Sequence, residues 1–272
     1  MTDSWLHVRR GHVPLIVSFP HAGTQIPDAI EKRLVSPWLA RKDTDWWVRQ
    51  LYEFADALDV TTVATDMSRT VIDVNRDPSG TSLYPGQATT ALCPLTTFDG
   101  EPLYRDGHEP SDAQIAQRRQ RYFDPYHEAL AGEIGRLHRR HGKVVLYDAH
   151  SIRSNVPRLF DGVLPHFNLG TDNGRTCAPE LTASLGTICA ASGLTSVTNG
   201  RFRGGWTTRH YGNPSAGHHA VQMELACRTY MDEPVGALRP TNWPVDFDTA
   251  RAAKARTVLS DILKACLHFA IS

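Results

Sequence analysis

Two apolar runs that each stop at a histidine constrain the fold of this chain more than any other feature. The runs are "PLIVSFPHAG", which reaches His21, and "KVVLYDAHS", which reaches His150. The second run shows no regular alternation of apolar and polar residues, and both read as strands that are buried on both faces. Strands of that kind are typical of a parallel sheet that helices cover on both sides.

The other segments of the chain alternate between predicted strands and predicted helices. Further strands are predicted over residues 60–65, 70–75, 195–202 and 219–227, and helices over 43–58, 111–140, 178–192 and 248–270. Pro125 is expected to bend or divide the second of these helices. Residues 76–109 are rich in Pro, Gly and Thr and predict a long functional loop. The pattern predicts one α/β domain over residues 1–272, with a mixed, largely parallel central sheet flanked by helices on both faces.

The charge balance and the cysteines narrow the class of protein. The chain has 29 Lys and Arg against 29 Asp and Glu, so charge gives no reason to expect a nucleic acid or an anionic membrane as partner. No apolar run approaches the roughly 20 residues that span a bilayer, and the N-terminus lacks a basic-then-apolar signal pattern. The five cysteines are scattered without a C-x-x-C pair. Free thiols in a reducing cytoplasm are therefore expected.

The two strand-terminal histidines predict a metal site. In open α/β sheets, ligands bind beyond the carboxyl ends of the strands, and His21 and His150 both lie there. Neutral imidazole is the commonest metal ligand, and a catalytic zinc typically takes three protein ligands from His and Asp or Glu. Zinc is the expected metal, although cobalt, manganese or iron also suit such ligands.

The third ligand is expected to be a carboxylate from "KDTDWW". This stretch offers Asp43 and Asp45, and Asp45 is favoured because it lies nearer the start of the predicted helix. Asp148 is a weaker candidate. It lies two residues before His150 on a strand, so the two side chains point the same way and Asp148 can instead orient an imidazole.

A buried acid supplies the candidate general base. Glu224 stands in the middle of the apolar stretch "HAVQMELAC", where a carboxylate is costly unless it is paired or bound. A buried ion pair would explain it without any catalytic role. The functional interpretation is a base whose pKa is tuned by burial and that takes a proton from the attacking water.

Arginines near the strand ends predict a substrate with carboxylates. Arg69 precedes the predicted strand 70–75, the pair Asn75–Arg76 follows it, and Arg203 and Arg209 stand among glycines. Guanidinium groups bind carboxylates through paired hydrogen bonds. Taken singly, each arginine is as well explained by a surface ion pair. His210, His218 and His219 have no assigned role, and contact with substrate competes there with an ordinary polar loop position.

These motifs together resemble a known family. "FPHAGTQIP", "DTDWW…LY", "SRTVIDVNRDPSG", "DAHSI", "GGWTTRHYG" and "HAVQMEL" occur in order between about residues 13 and 232, as in the N-formylglutamate amidohydrolases. The resemblance implies a fold like that of the zinc exopeptidases, of the phosphorylase/hydrolase-like kind. It also implies hydrolysis of N-formyl-L-glutamate to glutamate and formate, the last step of one route of histidine breakdown.

The resemblance also implies roles for single residues. His21 and His150 fit the metal-ligand positions, and Glu224 resembles the catalytic glutamate of the zinc carboxypeptidases. Asn75–Arg76 looks like the Asn-Arg pair that binds carboxylate in those enzymes. The chain departs from them in one respect. No glutamate follows His21 in an H-x-x-E turn, so the carboxylate ligand comes from elsewhere, and Asp43 and Asp45 both stay open.

Other functions fit parts of the pattern. A related zinc deacylase or carboxypeptidase acting on another N-acyl amino acid would use the same residues with a different pocket. A metal-free module that binds a small acidic ligand is also conceivable. A cysteine-nucleophile amidase is disfavoured because no cysteine stands in a catalytic motif, and no glycine-rich nucleotide-binding motif is present.

Overall fold

One seven-stranded sheet organises the described part of the chain. The computed structural model describes residues 5–81 and 90–272. The strands are β1 (Leu6–Arg9), β2 (Leu15–Phe19), β3 (Thr61–Thr65), β4 (Val144–Ile152), β5 (Phe167–Gly170), β6 (Ser196–Thr198) and β7 (His218–Ala226). Their order across the sheet is β1-β3-β2-β4-β7-β5-β6.

The centre of the sheet is parallel and its flanks run the other way. Strands β3, β2, β4 and β7 pair in parallel, whereas β1 is antiparallel to β3 and β5 is antiparallel to β7. β6 pairs in parallel with β5. The predicted mixed, largely parallel sheet is therefore confirmed. β1 and β5 are strands that the sequence did not predict.

Helices cover both faces of the sheet, as predicted. They are α1 (Asp28–Glu31), α2 (Val48–Leu51), α3 (Asp112–Arg118), α4 (Asp124–His141), α5 (Pro179–Ala191), α6 (Trp206–Tyr211) and α7 (Thr249–Ile271). One hydrophobic cluster joins α2, α5 and α7 to odd-numbered strand residues such as Val145 and Val221. The other joins α4 to even-numbered residues such as Leu146 and Ala220. Because both faces are buried, the strands lack the alternation of a half-exposed sheet.

Two predicted elements differ from the structure. The predicted helix 43–58 is present only as α2 and a 3₁₀ helix, Glu53–Leu58, because Trp47 has φ +62° and cannot continue a helix. The predicted strand 70–75 was wrong, because the segment is a buried turn. Its polar groups form local hydrogen bonds. For example, the backbone N–H of Asn75 donates to Asp73 Oδ1 at 2.9 Å.

The long helix predicted over 111–140 is present with an irregular turn. A capping box of Ser111 and Gln114 starts α3, and Gly142 with φ +74° ends α4. A π-helical turn, Arg119–Phe123, joins the two segments just before Pro125. Proline has no amide hydrogen to donate to the preceding turn, and the wider turn accommodates it. The predicted bend at Pro125 thus takes the form of a π-turn.

The predicted loop 76–109 lies partly outside the described residues, since 82–89 are not described. Its described parts, 76–81 and 90–109, contain turns and isolated bridges such as Thr96 with Pro102. Across the described residues, none of the helices combines the length and the apolar character that crossing a bilayer requires. All five cysteines are free and buried.

Candidate metal-dependent active site

The carboxyl ends of three central parallel strands bring the candidate residues together. His21 follows β2, His150 lies near the end of β4, and Glu224 lies near the end of β7. The register of β4 and β7 pairs His150 directly with Glu224, so their side chains leave the same face of the sheet as neighbours. All three are buried and line one cavity.

Asp45 lies beside these two histidines, in the turn before α2. The Asp45 amide donates to the carbonyl of His21 at 3.0 Å, and Asp45 Oδ2 accepts from the Ser151 amide at 3.1 Å. Trp47, in the left-handed region, completes the turn, and its Nε1 donates to the Val245 carbonyl at 2.9 Å. These contacts fix the Asp45 carboxylate beside the ends of β2 and β4.

Asp43 points to a different set of partners. Its Oδ2 accepts from the Phe98 amide at 2.6 Å, and its Oδ1 lies 3.2 Å from Nη2 of Arg153. Of the two aspartates that the sequence left open, Asp45 is the one whose carboxylate joins the histidines.

Each imidazole of the cluster is held at Nε2 by a buried carboxylate. His21 Nε2 lies 2.6 Å from Asp73 Oδ1, and His150 Nε2 lies 2.8 Å from Asp148 Oδ2. A carboxylate only accepts, so both contacts favour a proton on Nε2. Nδ1 of each ring then faces Asp45 Oδ2, at 3.8 Å for His21 and 3.1 Å for His150. Asp148 thus occupies the orienting position that its spacing from His150 allows.

The donor set fits a divalent metal ion. One ligand atom each from His21, Asp45 and His150 lies within 4.8 Å of the others. Asp45 Oδ1 is buried and accepts no hydrogen bond from the described residues, and Nη1 of Arg69 is 3.6 Å away. Carboxylates that fix the outer nitrogen of ligating histidines are a general feature of metal sites. Two imidazoles and one carboxylate are a ligand set typical of catalytic zinc.

Burial and charge perturb the titration of the cluster. Burial and the positive charge of Arg69 lower the pKa of His21, which favours its neutral form. Burial also opposes protonation of His150, but the charges and hydrogen bonds of Asp148 and Asp45 raise its pKa well above the ordinary value. Burial raises the pKa of Glu224 to about 8. A carboxyl with such a pKa can both accept and return a proton near neutral pH.

Glu224 is held by its neighbour on β7. Gln222 Nε2 donates to Glu224 Oε2 at 3.1 Å, and the Gly205 amide donates to Gln222 Oε1 at 2.6 Å. Gly205 also lies against the side chain of Asn75. A Cβ at position 205 would be 2.5 Å from Asn75 Oδ1 and 2.5 Å from Asn75 Nδ2. Only glycine, which has no side chain, fits between Asn75 and Gln222 at this position.

Two of the predicted substrate-binding arginines line the cavity. Arg69 Nη2 lies 2.8 Å from Asp73 Oδ2, and its guanidinium carbon lies 4.8 Å from the centre of the Phe98 ring. Arg76 Nε lies 3.5 Å from the same Asp73 oxygen and donates to Thr90 Oγ1 at 3.1 Å. Two guanidinium groups therefore share one carboxylate oxygen, so Asp73 alone does not neutralise them.

Asn75 lines the cavity but is tied to the protein on both sides. Its Oδ1 accepts from the Thr207 amide at 2.8 Å, which turns Nδ2 toward Asp148 Oδ2 at 3.3 Å. Nδ2 also lies 3.0 Å from His150 Nε2. These contacts join Asn75 to the network that orients His150.

Arg209 is not among the described residues that line the cavity. Its Nε donates to the Gly204 carbonyl at 3.1 Å, and its Nη2 lies 3.3 Å from Asp172 Oδ1. Arg201 lines the cavity instead, and its Nε donates to the Leu159 carbonyl at 2.6 Å. The substrate-binding role of Arg209 therefore stays a prediction from its place in the glycine-rich motif.

The unassigned histidines lie apart from the cluster. His218 and His219 begin β7, at the end of the strand away from Glu224, and His219 Nδ1 accepts from the Ala178 amide at 3.2 Å. His210 is exposed and stacks on Trp206 with 4.2 Å between the ring centres. None of the three lines the cavity as far as the structure describes it.

Comparison with known proteins identifies the family. The family model described as N-formylglutamate amidohydrolase matches residues 13–231. The chain belongs to the N-formylglutamate amidohydrolase family. The matched range includes His21, Asp45, His150 and Glu224, and so covers the whole cluster described above.

Individual N-formylglutamate amidohydrolases and deformylases agree with this assignment. An N-formylglutamate deformylase of Pseudomonas aeruginosa is 47% identical over 266 residues, with 96% of this chain and 97% of that protein covered. One of Pseudomonas putida is 45% identical, with coverages of 97% and 96%. A crystal structure of N-formylglutamate amidohydrolase from Ralstonia eutropha JMP134 gives a TM-score of 0.73 at 25% identity, with coverages of 97% and 96%.

Three site residues of this family member escaped the sequence analysis. Asp73 lies inside the wrongly predicted strand 70–75, and no motif assigns a role to Gln222 or Arg201. The position of Gln222 could have been predicted from the sequence, because residues two apart on a strand lie on the same face and Gln222 stands two residues before Glu224. The position of Asp73 depends on the turn after β3, which no periodicity indicates.

Proposed function

We propose that this chain is a metal-dependent N-formylglutamate deformylase, which hydrolyses N-formyl-L-glutamate to L-glutamate and formate. One observation carries the proposal. His21 Nδ1, His150 Nδ1 and the Asp45 carboxylate lie close together, and both histidines line one cavity with Glu224. The printed names of the two Pseudomonas relatives, both deformylases at 45% identity or more, support the substrate.

The metal is proposed to be zinc, held by His21, Asp45 and His150. Three features support this assignment: Asp45 Oδ1 accepts no hydrogen bond from the described residues, the neutral state of His21 is favoured, and Asp73 and Asp148 orient the two imidazoles. When bound there, a divalent ion supplies Lewis acidity and lowers the pKa of water. Asp73 and Asp148 hold Nε2 of the two rings, so that Nδ1 of each ring stays directed inward.

Glu224 is proposed to move the proton. As the water oxygen bonds to the formyl carbon, the water proton passes to the Glu224 carboxylate. As the C–N bond breaks, Glu224 delivers that proton to the nitrogen, so glutamate leaves as an amine and the formyl group leaves as formic acid, which then ionises to formate. The pKa of about 8 supports a group that works in both directions, because proton transfer is most effective near the operating pH.

Arginines are proposed to recognise the substrate carboxylates. Arg69 and Arg76 both line the cavity beside the proposed metal ligands, which supports the binding of an anionic group there. Asn75, predicted to bind substrate together with Arg76, has contacts that support a role in orienting Asp148. The contacts of Arg209 with Asp172 and Gly204 support a structural role for it.

We also propose the domain organisation, the cellular compartment and the metabolic route of this protein. Because residues between positions 21 and 224 meet at the edge of one continuous sheet, we propose that residues 1–272 form a single domain. Five buried free thiols support a reducing compartment such as the cytoplasm. The reaction would then be the last step of a route of histidine breakdown, as the family resemblance implies.

Metal analysis coupled to formate release tests the proposal. Protein purified without chelator should contain about one equivalent of metal and release formate from N-formyl-L-glutamate. Dialysis against chelator should abolish release, and zinc, cobalt, manganese or iron can then be compared for its recovery. Full activity after complete metal removal would refute the metal dependence. Faster cleavage of the N-acetyl or N-succinyl analogues would assign the chain to the related deacylases instead.

His150→Ala separates the ligand role from a general effect on folding. This variant should lose bound metal, because two ligands do not retain it as three do. His219→Ala is a matched control, because His219 lies on β7 at the opposite end of the sheet. A variant at His150 that keeps stoichiometric metal would remove this residue from the ligand set.

A further inference from the structure

Gln222 stands between the backbone and the proposed base in a defined orientation. Its side chain is buried on the same face of β7 as Glu224. The amide oxygen Oε1 accepts from the Gly205 amide at 2.6 Å, and the amide nitrogen Nε2 lies 3.1 Å from Glu224 Oε2. The Asp148–Gln222 and His150–Glu224 register pairs make the four side chains a compact square on adjacent strands.

The Gly205 contact fixes which way the Gln222 amide points. A backbone N–H can only donate, so the Gln222 atom that faces it must be the oxygen. The NH₂ group is thereby directed at Glu224 and can only donate to it. A flipped amide would set two donors against each other at Gly205 and two acceptors against each other at Glu224. The orientation is thus determined by chemistry as well as by distance.

The Gln222 contact makes the two oxygens of Glu224 inequivalent. In the described part of the chain, the hydrogen bonds of the Glu224 side chain involve Oε2 alone. Oε1 is left as the oxygen without a protein donor, on a side chain that lines the same cavity as His21 and His150. A carboxylate with one oxygen engaged accepts a proton preferentially on the other.

We propose that Gln222 is a positioning residue that holds Glu224 by Oε2, so that Oε1 is the oxygen that carries the proton. This inference rests on the proposed deformylase function and refines it. During turnover the water proton passes to Oε1 while the water oxygen bonds to the formyl carbon. Oε1 then returns the proton to the amide nitrogen as the C–N bond breaks. Gln222 stays neutral and exchanges no proton.

Two substitutions at position 222 test the positioning role. Gln222→Met keeps the volume and removes both hydrogen bonds. Gln222→Glu keeps the acceptor for the Gly205 amide but sets a carboxylate oxygen against Glu224. Gln117→Glu is a matched control, the same chemical change at an exposed position of α3. For each protein, kcat and KM for N-formyl-L-glutamate, metal content and thermal stability are measured.

A positioning role predicts a loss confined to kcat. General bases contribute about 10²–10⁴-fold to rate, and a base that is mis-oriented loses part of this, so kcat of Gln222→Met should fall on the order of tenfold or more. KM and metal content should stay within about twofold of the unsubstituted protein. Gln222→Glu should lose more at pH 8 than at pH 6, because the introduced carboxyl again offers a donor when protonated.

Three results would overturn the inference. They are kcat within about twofold for both variants, a fall in kcat that follows loss of metal, and a Gln222→Glu deficit that is the same at pH 6 and pH 8. If the unsubstituted protein releases no formate, the proposed function fails, and a crystal structure of Gln222→Met decides the positioning role separately. A turned Glu224 carboxylate in that structure supports the role, and an unchanged one refutes it.

Discussion

Asp148→Asn should weaken metal binding while leaving all three proposed ligands in place. Asp148 is fully buried, and three donors converge on its two oxygens: Ser18 Oγ on Oδ1, and His150 Nε2 at 2.8 Å and Asn75 Nδ2 at 3.3 Å on Oδ2. An asparagine has one oxygen, so its NH₂ group must face at least one of these donors. If it faces His150, the ring proton moves to Nδ1, the nitrogen that the metal needs.

The size of the effect follows from the contact that is lost. Substituting a group that orients a metal-bound histidine typically weakens metal affinity by about 10–100-fold. That range corresponds to about 1.4–2.7 kcal/mol, which agrees with the roughly 1.5–3 kcal/mol of a hydrogen bond to a charged group. We therefore expect the Kd for zinc to rise by one to two orders of magnitude.

Competition with a fluorescent zinc chelator measures this Kd directly. Asp43→Asn is the matched control, because Asp43 is also an aspartate with charged and amide partners, Arg153 and the Phe98 amide, but it does not contact the histidines. The control should lose stability and keep its zinc affinity within about twofold. Equal Kd values for Asp148→Asn and the unsubstituted protein would refute the argument that Asp148 prepares His150 for metal.

Three further predictions concern turnover, substrate binding and pH. Glu224→Gln should keep stoichiometric metal and lose about 10²-fold or more in kcat, and near-normal formate release would remove Glu224 as the base. Arg76→Ala should raise KM for N-formyl-L-glutamate severalfold, whereas Arg209→Ala should leave it unchanged in the same steady-state assay; equal KM values for the two would move carboxylate binding elsewhere. His127→Gln should make the free energy of unfolding less dependent on pH between 7 and 5, as measured by urea titration at both values.

The sign of the His127 effect follows from its environment. Burial lowers the pKa of His127 to about 4, and its Nε2 contacts the Val74 carbonyl at 2.8 Å. The folded pKa is therefore below the unfolded value of 6.5, so the unfolded chain binds more protons and stability falls as pH drops from about 6.5 toward 4. Between pH 7 and pH 5 the expected contribution is about 2 kcal/mol. An identical pH dependence in His127→Gln would show that other groups cause it.

The sequence was most informative where periodicity and strand position decide the structure. His21 and His150 could be placed because a buried parallel strand has a defined end, and Glu224 because a lone acid in an apolar strand needs a partner or a task. The register of β4 and β7 then brings His150 and Glu224 together without further signals. The short strand β5 was missed because its four residues, "FNLG", are too few to show a pattern.

The predictions that were wrong concern segments whose structure depends on tertiary contacts. Valine and isoleucine in "TVIDVN" suggested a strand, but Asp73 bonds to its own turn and to His21 and Arg69, which keeps the segment out of the sheet. The helix predicted from "DTDWW" is interrupted at Trp47, whose side chain bonds to the distant Val245 carbonyl. Neither partner can be identified by spacing along the chain.

Gly205 has a consequence for how freely this protein can vary. It lies between Asn75, which supports the histidine cluster, and Gln222, which supports the proposed base. A methyl group there would collide with the Asn75 side chain and disturb the hydrogen bond from the Gly205 amide to Gln222. Metal binding and proton transfer would therefore both be impaired by one substitution. A saturation library at this codon should return glycine alone among active clones, however tolerant the neighbouring positions prove to be.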